Sequence, residues 1–188
     1  MLNQRGVTLL ETTVALVIFS LIVAGIWTIY SRVTFNQNVG RTERGIVETS
    51  VKIREFYKDR TLTAASGLNN AQAMNFDLIA PELLIGGTPV HHLGMEGAEA
   101  LTVGADGATC GAADNLFFIR MDQLSKSGCN QIISRLAGNR GKLTDYNIAS
   151  ATINGIDVLS AANHTFDVKA AKRACADNSI AAVCFRTK

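Results

Sequence analysis

The chain predicts an α+β fold: a long N-terminal α-helix with a protruding apolar half, packed through its second half on a head built around an antiparallel β-sheet. Three observations carry this expectation. Residues Thr12 to Ser31 form a run of twenty without a charge. At about 1.5 Å per residue that helix reaches roughly 30 Å, the thickness of a bilayer's apolar core. An amphipathic pattern follows to about Arg60, and beyond it lie short apolar runs of strand length punctuated by Gly, Asn and Asp.

The N-terminal segment reads RGVTLLE over residues 5–11 and then TTVALVIFSLIVAGIWTIY. Glu11 heads the apolar run, where a carboxylate left unpaired in lipid costs up to about 2.5–3.5 kcal/mol, less near a helix end. The acid therefore calls for a cationic partner, and a cut after Gly6 would create one as a new α-amino group. A secretory signal would close in a small-residue cleavage site, for which Ala24-Gly25 is the candidate. The run continues through Ile26, Trp27, Ile29 and Tyr30, so the segment is expected to stay as an anchor.

In the next segment Phe35, Val39, Ile46, Ile53 and Tyr57 recur at spacings of four and seven, with Val47 and Val51 widening the stripe. Arg32, Arg41, Arg44, Lys52, Arg54, Lys58 and Arg60 alternate with Glu43, Glu48, Glu55 and Asp59, as on a solvated, self-pairing helix face. Gly25, Gly40 and Gly45 interrupt this helix, each costing on the order of 1 kcal/mol against Ala. Residues 61–70 form a polar break, and residues 71–80 a short helix before Pro81. Residues 81–107 read as irregular loop with a strand near Ala100–Val103. Strands are expected at Asn115–Met121, Tyr146–Ile153, Ile156–Leu159 and Ile180–Phe185, with a short helix over Lys169–Ala176.

Composition limits the function. After the N-terminal helix about 130 residues remain, enough for one core. The net charge of +2 is spread among interspersed acids and bases, so no nucleic-acid partner is expected. Cys110, Cys129, Cys175 and Cys184 all lie in the C-terminal half and none has the two-residue spacing of a zinc knuckle, which points to two disulfides in an oxidising compartment. Four cysteines allow three pairings, and spacing alone does not choose among them. No catalytic residue, metal or cofactor is expected. His91-His92 and His164 read as solvated loop residues, GADGATCG (104–111) lacks the Lys-Ser/Thr of a P-loop, and Asp106 and Asp114 miss a calcium-loop spacing.

Arg5, Gly6, Val7, Thr8, Leu9, Leu10 and Glu11 resemble, position by position, the precursor motif of the type IV pilins and their pilin-like relatives. Val7 departs from the Phe or Met that starts most mature members. The resemblance implies cleavage between Gly6 and Val7 by a prepilin peptidase in the bacterial inner membrane and N-methylation of Val7. It also implies assembly into a helical homo-oligomeric filament in which Glu11 pairs with a neighbour's Val7 amine and sets the register. It implies a cleaved leader (1–6), a transmembrane and filament-core helix (7–30), its amphipathic continuation (31–60) and a globular head (61–188). The implied partners are the inner-membrane assembly machinery, the membrane before assembly and a host or recipient-cell surface, with the finished filament outside the cell.

The order of a long helix, a loop, an antiparallel sheet and a late helix also resembles the type IVb pilin roll. MDQLSKSGC (121–129) with the following NQIISRL, and AAKRACADNSIAAVCF (170–185), look like the halves of its C-terminal disulfide feature. That likeness implies Cys129–Cys175, leaving Cys110–Cys184. The six-residue leader is shorter than in most type IVb precursors. A minor pilin, a type II secretion pseudopilin and a membrane-anchored ligand-binding module that never polymerises are the other readings.

Overall fold

Helix α1 runs from Leu9 to Phe56 without a proline to break it. The computed structural model describes residues 9–63, 67–94, 97–105, 107–110, 115–137, 146–159 and 165–187. The chain divides into two compact units, residues 1–37 and 38–188. In the first unit α1 is apolar on all sides: Leu9, Leu16, Phe19, Leu21, Ile26 and Trp27 are all exposed.

In the second unit α1 buries one stripe, Val39, Thr42, Gly45, Ile46, Thr49, Ser50 and Ile53, at the three- and four-residue spacing of a single helix face. The stripe widens on the side of the threonines and Gly45; Val51 is exposed and Val47 only half-buried, contrary to the sequence expectation. The cause lies in what covers the helix. Ala80 N–H donates to Thr49 Oγ1 at 3.0 Å, His92 N–H donates to Thr42 Oγ1 at 3.3 Å, and Leu83 packs on Gly45. A Cβ on Gly45 would stand 2.5 Å from Leu83 Cγ, so only glycine admits this approach. The helix also stops short of Arg60. Lys58 and Arg60 donate three residues back, to Glu55 and Tyr57, and Leu62 N–H is drawn to Asn115 Oδ1 at 3.2 Å.

Helix α2 (Asn70–Asn75) is capped by the Asn69 side chain, which accepts from Gln72 N–H. A 3₁₀ turn at Pro81–Leu83 leads into β1 (Leu84–Ile85) and β2 (Thr88–His91), an antiparallel hairpin closed by Gly86 and Gly87. Both glycines have positive φ, 58° and 78°, as a two-residue hairpin of the primed type requires. These strands replace the loop expected there, and they change the reading of His91. It ends β2 fully buried: Nε2 donates to Asp122 O at 2.7 Å and Nδ1 accepts from Leu93 N–H at 3.2 Å. His92 is half-buried with Nε2 3.1 Å from Glu82 O. Neither is a solvated loop residue. His164, Asp106 and Asp114 lie outside the described residues.

Strands β3 (Glu99–Gly104), β4 (Leu116–Leu124), β5 (Ile148–Ile153), β6 (Ile156–Leu159) and β7 (Ser179–Arg186) complete a seven-stranded sheet. Its order is β1-β2-β3-β4-β7-β5-β6, every neighbouring pair antiparallel, so the last strand enters between β4 and β5. Helices α3 (Gly107–Cys110), α4 (Lys126–Ala137) and α5 (Val168–Ala174) complete the described secondary structure. Asp167 caps α5 by accepting from Lys169 and Ala170 N–H.

Strand alternation sorts the sheet into two faces. The rows Val103–Ile119–Val183–Ala151 and Leu101–Met121–Ala181–Ile153 run across it fully buried, with Phe117 and Phe185 stacked at 5.4 Å between centroids. The opposite face carries the row Thr102–Arg120–Ala182–Thr152–Asp157. Beside that row Phe118, Ala149 and Cys184 form a small second core with Cys110 and Leu116.

Candidate assembly site

Of the residues expected to act in assembly, Glu11 is the one among the described residues. It sits in the first turn of α1, exposed, where the positive end of the helix dipole favours a carboxylate. The ion pairs among the described residues are Arg44–Glu82, Lys52–Glu48, Arg120–Asp122 and Arg135–Glu43, and Glu11 has no part in them. Gly6 and Val7 lie outside the described residues.

The Ser and Thr hydroxyls of the apolar run are turned back onto their own helix. Thr12, Thr13 and Ser20 hydroxyls donate at 2.8 Å to the carbonyls of Leu9, Leu10 and Val17, and Thr28 and Ser31 donate at 3.0 Å to those of Ala24 and Thr28. An apolar surrounding therefore costs these hydroxyls little, because each donor is already satisfied. Trp27 and Tyr30, with ring centroids 6.4 Å apart, close the run with the aromatic pairing typical of a membrane–water boundary. The helix is long and apolar enough here to cross a membrane, and none of its apolar window is buried in the chain. Gly25 lies within this stretch, and a Cβ there would meet nothing within 4 Å, so its own chain does not demand a glycine at that point.

In the second unit the four cysteines form two disulfides. Cys110–Cys184 joins α3 to β7 and Cys129–Cys175 joins α4 to the end of α5, each with Cα atoms 5.7 Å apart. The loops they close span 74 and 46 residues. In the chain-entropy model each contributes about 4 kcal/mol by restricting the unfolded chain. Among the described residues no three His, Cys, Asp or Glu side chains gather as a metal site would require. His91 is structural: burial pushes its pKa below the usual histidine value, and the ring bridges β2 to β4 as a neutral tautomer. Asp167 is also held below its ordinary value, first by the Ala170 N–H bond and then by Lys169 and Arg173.

Residues 1–27 match the prokaryotic N-terminal methylation motif. The chain carries a type IV prepilin leader. Such a leader marks a type IV pilin-like or pseudopilin precursor, processed by prepilin peptidase and passed to a filament-assembly machinery; its motif family is structural rather than enzymatic. The leader and the apolar helix behind it are consistent with a membrane precursor. No curated protein matches the chain.

Sequence reasoning passed over Thr42 and Thr49 and read Gly45 only as an interruption of the helix, whereas all three dock the segment 80–92 onto α1. Their signal is the threonine pair seven residues apart, i and i+7, which shares a helix face with the apolar stripe.

Proposed function

We propose that the chain is the structural subunit of a type IV pilus of the type IVb kind, serving adhesion, aggregation or conjugative contact. In this reading residues 1–6 are removed and Val7 is N-methylated, which keeps the positive charge of its amine. Residues 7–30 then become the filament core, residues 31–60 continue that helix and residues 61–188 form the outer head. Glu11 pairs with the Val7 amine of a neighbouring copy. The observation that carries this is a single exposed carboxylate heading a helix whose Ser and Thr hydroxyls are all internally satisfied over the apolar run. In lipid or a dry filament core that carboxylate is the one charged group of the run and must find its partner on another molecule, and only one stagger of two helices brings acid and amine together.

The same leader would serve a minor pilin or a pseudopilin; the two disulfides of the head favour the pilus subunit through the type IVb resemblance. Mass spectrometry of protein sheared from the cell surface, intact and as N-terminal peptide, tests the proposal. A chain beginning at methylated Val7 and gaining four hydrogens on reduction of two bridges is the expected result. An intact Met1 start confined to membranes would leave a non-polymerising anchored module.

A further inference from the structure

The outward row of the sheet lies in a trough of about 380 Å³, within the range of small-molecule sites. Cross-strand register sets its floor: Arg120 stands opposite Ala182, Ala182 opposite Thr152, and Thr152 opposite Asp157. Three strand spacings separate the Cα atoms of Arg120 and Asp157, about 14 Å. Ile180, 45 % exposed, forms an apolar ledge along one side. Thr109 closes another side from α3, which the Cys110–Cys184 bridge fastens to the same sheet face. The trough is therefore bounded on these two sides and open on the others.

We propose that this trough binds a neutral sugar residue of a glycan. A sugar hydroxyl both donates and accepts, and the row offers a donor array at Arg120, an acceptor at Asp157 and a hydroxyl of both kinds at Thr152. Ala182 keeps the floor low enough for a ring, whose C–H face would rest against Ala182 and Ile180. Charge separates neutral from acidic sugars. Arg120 Nε lies 3.2 Å from Asp122 Oδ1, held by charge without the alignment of a hydrogen bond, and that carboxylate compensates the guanidinium. With Asp157 added, two carboxylates stand against one cation, so an anionic sugar meets net repulsion.

The site lies within the second unit and does not depend on polymerisation. Saturation-transfer NMR on the full chain, in a detergent without a sugar head group, tests it with methyl glycosides of glucose, galactose and N-acetylglucosamine against N-acetylneuraminic acid. At least one neutral glycoside is expected to bind in the millimolar range. Asp157→Ala and Thr152→Val should each weaken it about tenfold, about 1.4 kcal/mol, with an unchanged near-ultraviolet circular dichroism spectrum. Asp157 is exposed, so its truncation spares the core. Three results would each overturn the proposal: no transfer to any neutral glycoside, tighter binding of the acidic sugar than of every neutral one, or wild-type affinity in a folded Asp157→Ala chain.

Discussion

Helix α1 carries threonines in both units, and they behave in opposite ways. In the first, Thr12, Thr13 and Thr28 donate to carbonyls of their own helix and present no unmet polar group. In the second, Thr42 and Thr49 turn their hydroxyl oxygens towards the segment 80–92 and accept its backbone N–H groups. The same residue type thus hides polarity in one half and supplies it in the other. The difference follows from the surroundings. A lipid or a neighbouring apolar helix offers no hydrogen bond, so a hydroxyl must be satisfied locally. A folded head contains backbone donors that would otherwise be buried without an acceptor. Glu11 is the one charged group of the apolar run, and no ion pair among the described residues includes it.

The largest expected effect comes from removing that charge. Glu11→Ala should leave leader processing intact and the melting temperature of the head unchanged, while electron microscopy finds filaments lost or severely reduced. Abundant normal filaments from this variant as sole subunit would defeat the intermolecular pairing. Gly6→Leu should leave the unprocessed precursor in the membrane fraction on immunoblots, and a mature chain from it would refute the cut-site assignment.

In the second unit the next largest effect is expected at Gly45. Gly45→Val drives a Cβ to 2.5 Å from Leu83 Cγ and should destabilise the head by about 1–3 kcal/mol, read by denaturant unfolding. Gly25→Ala tests the other half of the comparison, because no atom stands within 4 Å of its added Cβ. The head's unfolding midpoint should not move. A shift as large as that of Gly45→Val would mean that Gly25 supports the head and would break the contrast.

These contrasts also mark what the residues disclose before the structure. The twenty-residue uncharged run and the stripe of Val39, Ile46 and Ile53 announce α1, and the apolar run through Phe117 and Ile119 announces β4. The caps Asp167 and Asn69, which hold their helix starts within three residues, are not read from the sequence. The β1–β2 hairpin is harder to read, because its strands have two and four residues and one of those is Pro89. Too few side chains alternate there to show a period, so Gly86-Gly87 reads as loop. His91 is hidden by the same lapse, since its burial depends on Asp122, thirty-one residues away. Thr42 and Gly45 look like gaps in an apolar face until the partners that need an acceptor and a close approach are in view. The disulfide pairing is illegible in spacing for a similar reason: β7 reaches Cys110 only by inserting between β4 and β5.

His91 yields a smaller, pH-dependent prediction. The unfolded histidine takes up a proton near its ordinary value of about 6.5, whereas the buried one resists until a lower pH. The unfolded state therefore binds more protons between those two values. The head's stability should be intact above about pH 6.5 and fall as the pH drops through that window, by at most about 1.4 kcal/mol per pH unit for this one group. Protonation would place a second N–H at Nδ1, against the Leu93 N–H that it now accepts. Asp122 faces the ring and opposes the shift, and His92 adds to it, so burial must outweigh the carboxylate for the window to exist. Unfolding midpoints for the native chain and His91→Gln, measured from pH 7.5 to 5, provide the check; equal slopes would remove His91 as the cause.

The smallest effect separates the two halves of α1 most sharply. Thr49→Val keeps the shape of the side chain but strands the Ala80 N–H, now bonded at 3.0 Å in a buried position. The expected loss is about 1 kcal/mol or somewhat more, because the abandoned donor also forfeits solvation. Thr28→Val makes the same chemical change in the apolar run, yet its hydroxyl serves only the Ala24 carbonyl, which also takes part in the helix ladder. No donor is abandoned there, so the unfolding free energy of the head should stay within about 0.5 kcal/mol. If both variants lose stability equally, the threonines of the two units share one role, and the division between a self-satisfied apolar half and a supplying half of α1 fails.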